Sequence, residues 1–392
     1  MIFTGSTYYL LLILSVCIFF VVPRRFRHWA LALSGVVFYG DVAPAFLGLL
    51  SIELILVYLF LKFARHRGAI IALMGTLAVL GYFKYRGFFA LTINQIGKLF
   101  TVGIGLPIGQ VAVPLALSFV SFEFIHFIVE YRRGGIRELS FQKLASFIFF
   151  FPTLVSGPIK RFPAYSHQVS PAHLTAENIF IGGYRIILGL FKKIVLADTF
   201  AVLVGSTFDS IGTVTAATPS LLWLSLISFS FQIYLDFSGY SDIAIGSARL
   251  FGIIIPENFI LPYFRRNIAE FWQHWHITLY RWIVDYIFIP LGGSRKGLTT
   301  TIRNTFIAMG LSGLWHGSQW HFVVWGLYHG VLLVGYRGYK LAIPENRFVH
   351  LKPLVSIMSV VVTFFLVTIG WLLFIAPVDV AIFSLKKMFG FA

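Results

Sequence analysis

Charge is scarce in this chain, and negative charge scarcer still. Of 392 residues 12% are charged and 15 are Asp or Glu, against 58% hydrophobic. A soluble globular chain carries roughly a quarter charged residues. The low fraction, with a mean hydropathy of +0.84, excludes a water-soluble globule and leaves an integral membrane protein. Cysteine is almost missing: Cys17 stands alone, which excludes an intrachain disulfide framework. There is no long polar linker, low-complexity tract or insertion of soluble-domain size, so residues 1–392 are expected to form a single membrane domain. No internal repeat is visible, which counts against a transporter built from inverted halves. The G-x-S-x-G of serine nucleophiles and the H-E-x-x-H of zinc enzymes are both lacking.

What the chain does have is a succession of apolar runs, at about 8–22, 29–40, 44–61, 69–83, 111–129, 141–156, 179–204, 219–235, 302–314, 320–336 and 354–376. They predict an all-α polytopic membrane protein of roughly ten or eleven helices. Several runs fall short of the ~20 residues a perpendicular span needs, so tilted, re-entrant or interfacial helices are expected among them. The first run has no basic residue before it and is followed by Pro23-Arg24-Arg25-Phe26-Arg27, the pattern of a retained helix and not of a removable signal. Those cations, with Lys62, Arg65 and Arg67 after the third run, put the N-terminus outside. The formal net charge of +16 is accounted for by topology-setting loops and anionic lipid headgroups, with no nucleic-acid partner implied.

From about residue 150 polar residues interrupt the apolar runs. In FPTLVSGPIKRF (151–162), Pro152, Gly157 and Pro158 break the helix. Lys160 and Arg161 follow, either as snorkelling cations or as a cationic rim for an anionic donor. In FQIYLDFSGYSDIAIG (231–246), Asp236 and Asp242 must be paired or face a cavity, because a carboxylate at membrane depth costs at least about 2.5–3.5 kcal/mol. Asp236 is the candidate for substrate contact, and Ser238-Gly239 suggests a break in the helix. In the stretch 262–297, Trp272, Trp275, His276, Leu279, Trp282 and Ile283 share one helical face, with Arg281 and Asp285 beside it. That pattern predicts an amphipathic helix stopped by Pro290-Leu-Gly-Gly-Ser294.

Five of the eleven histidines lie between 274 and 329. Histidine exchanges protons near neutral pH and is the usual base for a hydroxyl attacking a carbonyl. His276 and His316 on separate segments can meet at one site, one as base, the other orienting substrate or polarising the acyl carbonyl. Trp275 and Trp315 beside them, with Arg281, are candidate substrate contacts. The rivals are a zinc site of His274, His276, His316 and His321, disfavoured by sparse carboxylates, and a proton path through Asp236, Asp242 and the histidines of a transporter.

FWQHWHITLYRWIVDYIFIPLGGSRKG (271–297) followed by SGLWHGSQWHFVVWGLYHG (312–330) resembles the paired signature of the membrane-bound O-acyltransferase (MBOAT) family, in particular its bacterial alginate O-acetyltransferase branch. FPTLVSGPIKRF, GLFKKIVLAD (189–198) and QIYLDFSGYSDIAIG resemble further blocks of that branch, in the same order. The resemblance implies a helical bundle around a central funnel or tunnel. It makes His316, in the LWHG block, the catalytic base, and His276, in HWHIT, the second functional histidine. It also implies acetyl-CoA as acyl donor with no bound cofactor or metal, a bacterial plasma-membrane location, and an extracytoplasmic acetyltransferase or polysaccharide as partner. Gln273 and His274 stand where the family commonly has basic residues. A sister branch that transfers D-alanine to teichoic acid shares both histidines, whereas PLGGSRKG (290–297) favours acetyl.

Overall fold

The computed structural model describes residues 3–101, 103, 105–107, 109, 111–342 and 352–391, and among them every regular element is a helix. In chain order these are α1 (Ser6–Val21), α2 (Arg27–Val42), α3 (Pro44–Leu80), α4 (Arg86–Leu99), α5 (Leu117–Arg132), α6 (Phe141–Ile148), α7 (Phe151–Leu154), α8 (Phe162–Val169) and α9 (Ala176–Leu190). Then come α10 (Asp198–Val204), α11 (Ile211–Ala216), α12 (Pro219–Leu250), α13 (Ile268–His274), α14 (Ile277–Ile283), α15 (Leu298–His316), α16 (Trp320–Ala342), α17 (Lys352–Ile375) and α18 (Val378–Met388). Helix is the form such apolar segments must take in lipid, because it satisfies every backbone N–H and C=O within the segment.

Among the described residues three segments are long and apolar enough to cross a membrane: Pro44–Leu99, Pro219–Leu250 and Leu354–Ile375. α1 is apolar but shorter. Among the described residues the helices are more numerous than the ten or eleven runs suggest; the run at 141–156, for example, forms two separate short helices, α6 and α7, whereas α12, α15 and α16 extend beyond theirs. Within α3 the backbone leaves helical geometry at Arg65 (φ 42°, ψ −114°). A Cβ on Gly68 would lie 1.8 Å from the Phe60 carbonyl oxygen, so the second half folds back on the first, in keeping with two runs at 44–61 and 69–83. α12 departs from expectation in the opposite sense, since it continues without interruption through Ser238-Gly239. A glycine in a helix costs about 1 kcal/mol, less than the several kcal/mol of leaving backbone groups unsatisfied in an apolar setting.

Within the membrane domain expected over 1–392, the chain gathers into two compact units, residues 1–190 with 240–256 and residues 191–239 with 257–392. The core of the first is a phenylalanine cluster around Phe124, Phe127, Phe147, Phe150 and Phe151, each fully buried. The core of the second is built on indole rings, Trp272, Trp275, Trp325 and Trp371, and it carries both histidines of interest.

Candidate active site

The site begins with a local conflict between sequence pattern and backbone. Asn267 caps α13, its side-chain oxygen accepting the Glu270 N–H at 2.9 Å, and the helix ends at His274. Trp275 is extended, and His276 takes the left-handed conformation (φ 44°, ψ 53°) before α14 starts. The single amphipathic helix expected across this stretch is therefore two short helices joined at His276. A non-glycine residue in that region costs of order 1–3 kcal/mol and persists only where its surroundings over-determine it.

Here Asn258 does so. Its carbonyl accepts the Ile277 N–H at 2.9 Å. Its side-chain oxygen accepts the Thr278 hydroxyl at 2.9 Å and the Thr278 N–H at 3.3 Å, and lies 3.1 Å from Nδ1 of His276. Opening amide groups of α14, those of Ile277 and Thr278, which no helix satisfies internally, are thus satisfied by a single upstream loop residue. The His276 ring is 2% exposed and edges against Phe237, with ring centres 4.6 Å apart.

His316 is the last residue of α15 and is half-buried. It arrives there because α15 and α16 pack at glycine contact: a Cβ on Gly313 would lie 2.0 Å from the Phe322 carbonyl oxygen, and one on Gly326 2.1 Å from that of Met309. The His316 ring is edged by Trp315, Trp325 and Phe374 at 4.8, 5.1 and 5.2 Å. Trp315 also touches His276, at 6.1 Å between ring centres, so one indole joins the two imidazoles.

A cavity of about 340 Å³ is lined by His276, though not by Trp315 or His316, and its wall includes Trp272, Ser312, Tyr336, Arg337 and Lys340. Ser312 stands one turn before His316. Arg337 and Lys340 are exposed, while Trp272, His276 and Ser312 are buried. Nε2 of His276 and Nε1 of Trp272 are buried without a hydrogen-bond partner. An unsatisfied buried polar atom costs about 1–3 kcal/mol. An acceptor and a donor both left open on one apolar wall are suited to a bound molecule that carries a hydroxyl and a carbonyl.

The other expected contacts lie elsewhere. Lys160 is no rim cation: it is 1% exposed, ion-paired with Glu123 in the first unit and enclosed by Phe147, Phe150 and Tyr165. Arg161 is half-buried at the start of α8 in the same unit. Asp236 pairs with Lys193 at 2.7 Å and Asp242 with Arg185 at 2.8 Å, the pairing their cost in an apolar setting demands. Trp275 packs in the core against Trp371, and Arg281 is exposed on α14, off the cavity wall. Only Trp315, of these contacts, lies at the histidines. His321 binds Gln319 and the Leu373 carbonyl through its two ring nitrogens, and His274 binds the Glu270 carbonyl. Among the described residues no three His, Cys, Asp or Glu side chains gather as a metal would require.

Reading the sequence missed Asn258, Arg337 and Lys340, and took Trp272 only as one ring of an aromatic face. Asn258 carries a usable signal, an amide set among apolar residues that must find partners when buried. The two cations close the α16 run one helical turn apart.

The sequence pattern of the membrane-bound O-acyltransferase family matches residues 88–377. The probable alginate O-acetylase of Pseudomonas putida is 33% identical over 403 aligned positions, covering 100% of this chain and 81% of that relative. The peptidoglycan O-acetyltransferase of Helicobacter pylori is 33% identical, covering 82% of this chain and 64% of its own length. The teichoic acid D-alanyltransferase of Bacillus subtilis is 28% identical over 66% of this chain and 68% of its own. With the family pattern spanning residues 88–377 and an alginate O-acetylase relative aligned along the whole of this chain, the chain belongs to the membrane-bound O-acyltransferase family.

Proposed function

We propose that this O-acyltransferase moves an acetyl group from acetyl-CoA, presented from the cytoplasm, to a hydroxyl on the far side of a bacterial plasma membrane that the chain crosses many times. The acceptor is a polysaccharide, or a separate extracytoplasmic acetyltransferase that decorates one. The observation that carries this reading is the pairing, through Trp315, of His316 with a buried His276 whose Nε2 is unpartnered on a cavity wall.

In the step itself, the acceptor oxygen attacks the thioester carbonyl carbon as His316 takes the hydroxyl proton. The C–S bond then breaks, and the proton passes to the departing thiolate. His276 orients the bound reactants. The apolar wall keeps out water, which would otherwise compete as nucleophile. Arg337 and Lys340 on the exposed part of the cavity wall are suited to the phosphates of the donor, the role the sequence suggested for Lys160 and Arg161. A funnel through the bundle, open to donor and acceptor from opposite faces, completes the reading.

The test is reconstitution in vesicles with labelled acetyl-CoA outside and alginate oligosaccharide inside. Acetyl ester on the oligosaccharide with stoichiometric release of CoA thiol is expected. Transfer of D-alanine instead would assign the chain to the sister activity of its 28% identical relative. Solute movement without thioester consumption would make it a transporter.

A further inference from the structure

Four observations converge on the loop residue Asn258. It clamps the strained backbone at His276, its side-chain oxygen lies against Nδ1 of that ring, the ring lines the cavity, and Nε2 is buried without a partner. The two ends of an amide side chain have nearly the same shape, so their identity follows from what they touch. The Thr278 backbone N–H, 3.3 Å from the terminal atom of Asn258, can only donate. That atom is therefore oxygen, and the Thr278 hydroxyl, 2.9 Å away, donates to it as well. An amide oxygen cannot donate, so Nδ1 of His276 must. A neutral imidazole has one N–H, and with that hydrogen on Nδ1, Nε2 has only a lone pair.

We propose that Asn258 is a positioning residue that locks His276 in the Nδ1–H form and so presents Nε2 to the bound reactants as a hydrogen-bond acceptor. This rests on the acyl-transfer reading above, and it decides between orienting the substrate and polarising the acyl carbonyl, the two roles the sequence allowed the second histidine. A ring that can only accept at Nε2 holds a substrate O–H or N–H; it does not polarise the acyl carbonyl. His316, whose ring centre lies 4.8 Å from that of Trp315, is the other histidine in contact with that indole and keeps the role of base. The Trp272 indole N–H, buried and unpartnered on the same wall, is a donor of the kind a carbonyl needs.

Full-length protein in lipid nanodiscs tests this with Asn258→Ala and Asn258→Asp, using acetyl-CoA and alginate oligosaccharide as probes. Asn258→Ala is expected to lower kcat about 10²-fold, the low end of what a positioned proton-transfer group supplies, with KM for acetyl-CoA nearly unchanged. Asn258→Asp keeps an acceptor for Nδ1–H and both Thr278 groups, so kcat recovers to within about tenfold at alkaline pH. Its carboxylate favours the imidazolium, the form that cannot accept at Nε2. Activity is then lost at a higher pH as the solution is acidified, and the acid limb of kcat/KM moves up by about one unit or more, as for a carboxylate beside a cation. A purely structural Asn258 would lower the thermal midpoint without moving that limb.

Solid-state NMR of ¹⁵N-histidine-labelled protein, with His276→Gln identifying the resonances, reads the tautomer without any acyl transfer. A protonated Nδ1 and bare Nε2 in the parent are expected. A protonated Nε2, an unshifted acid limb in Asn258→Asp, or full kcat in Asn258→Ala overturns the proposal. Failure of the parent to consume acetyl-CoA overturns the functional reading alone, because the NMR result stands apart from it.

Discussion

Gly313 and Gly326 meet backbone to backbone, each leaving no room for a methyl group: the nearest carbonyl oxygens of the facing helix would lie 2.0 and 2.1 Å from an added Cβ. The contact sets where α15 ends, and His316 is its last residue. Overpacking a close helix contact costs typically 1–3 kcal/mol, and here it also displaces His316, the proposed base. Gly313→Ala is expected to lower both the thermal midpoint in detergent and the transfer rate. Gly335→Ala on α16, where nothing lies within 4 Å, is the matched control and should leave both as they are.

His316→Ala removes the proposed base while leaving a helix terminus that needs no histidine to form. Transfer from acetyl-CoA should fall by about 10²–10⁴-fold, with elution profile and thermal midpoint close to the parent. A correctly folded variant that kept full activity would rule out His316 as the base.

Lys160 and Glu123 form a buried ion pair, so their substitutions are expected to act on stability and not on donor affinity. Removing one partner strands a charge, at about 3–5 kcal/mol, whereas replacing both with apolar residues is often neutral or stabilising. Lys160→Met and Glu123→Gln should each lower the thermal midpoint, and Glu123→Met with Lys160→Met should restore it. A stable Lys160→Met with a raised KM for acetyl-CoA would instead make Lys160 a donor contact.

Arg337 and Lys340 are exposed on the cavity wall, where the proposed reading puts the donor phosphates. Replacing both with glutamine should raise KM for acetyl-CoA about tenfold, equivalent to 1.4 kcal/mol, with kcat little changed. Exposed charge pairs are screened by salt, so the parent KM should climb with ionic strength and that of the variant should not. Equal salt dependence in both proteins would remove the two cations from the donor site.

Much of this was legible in the residues themselves. Apolar runs become helices because lipid offers the backbone no other partners, and Asp236 and Asp242 find cations because their charge is too costly to leave alone. Two features misled. Ser238-Gly239 suggested a break that α12 does not have, because one glycine weakens a helix less than exposing its amides to an apolar setting. Trp272, Trp275, Leu279 and Trp282 keep helical spacing through His276, so periodicity hid a break imposed by Asn258, which lies outside any window that detects it.

The sequence by itself determined that the chain is a helical membrane protein, which segments are apolar, and that Asp236 and Asp242 need partners, and it singled out His276 and His316 as candidates. Tertiary structure alone decided that Lys160 is spent on Glu123, that Trp315 joins the two imidazoles, and that Asn258 holds His276 in a strained turn with one nitrogen unpartnered. The division has a physical cause. Transfer from water to lipid acts on each segment according to its own composition, whereas a hydrogen bond or an ion pair depends on a partner that only the folded chain brings within about 3 Å.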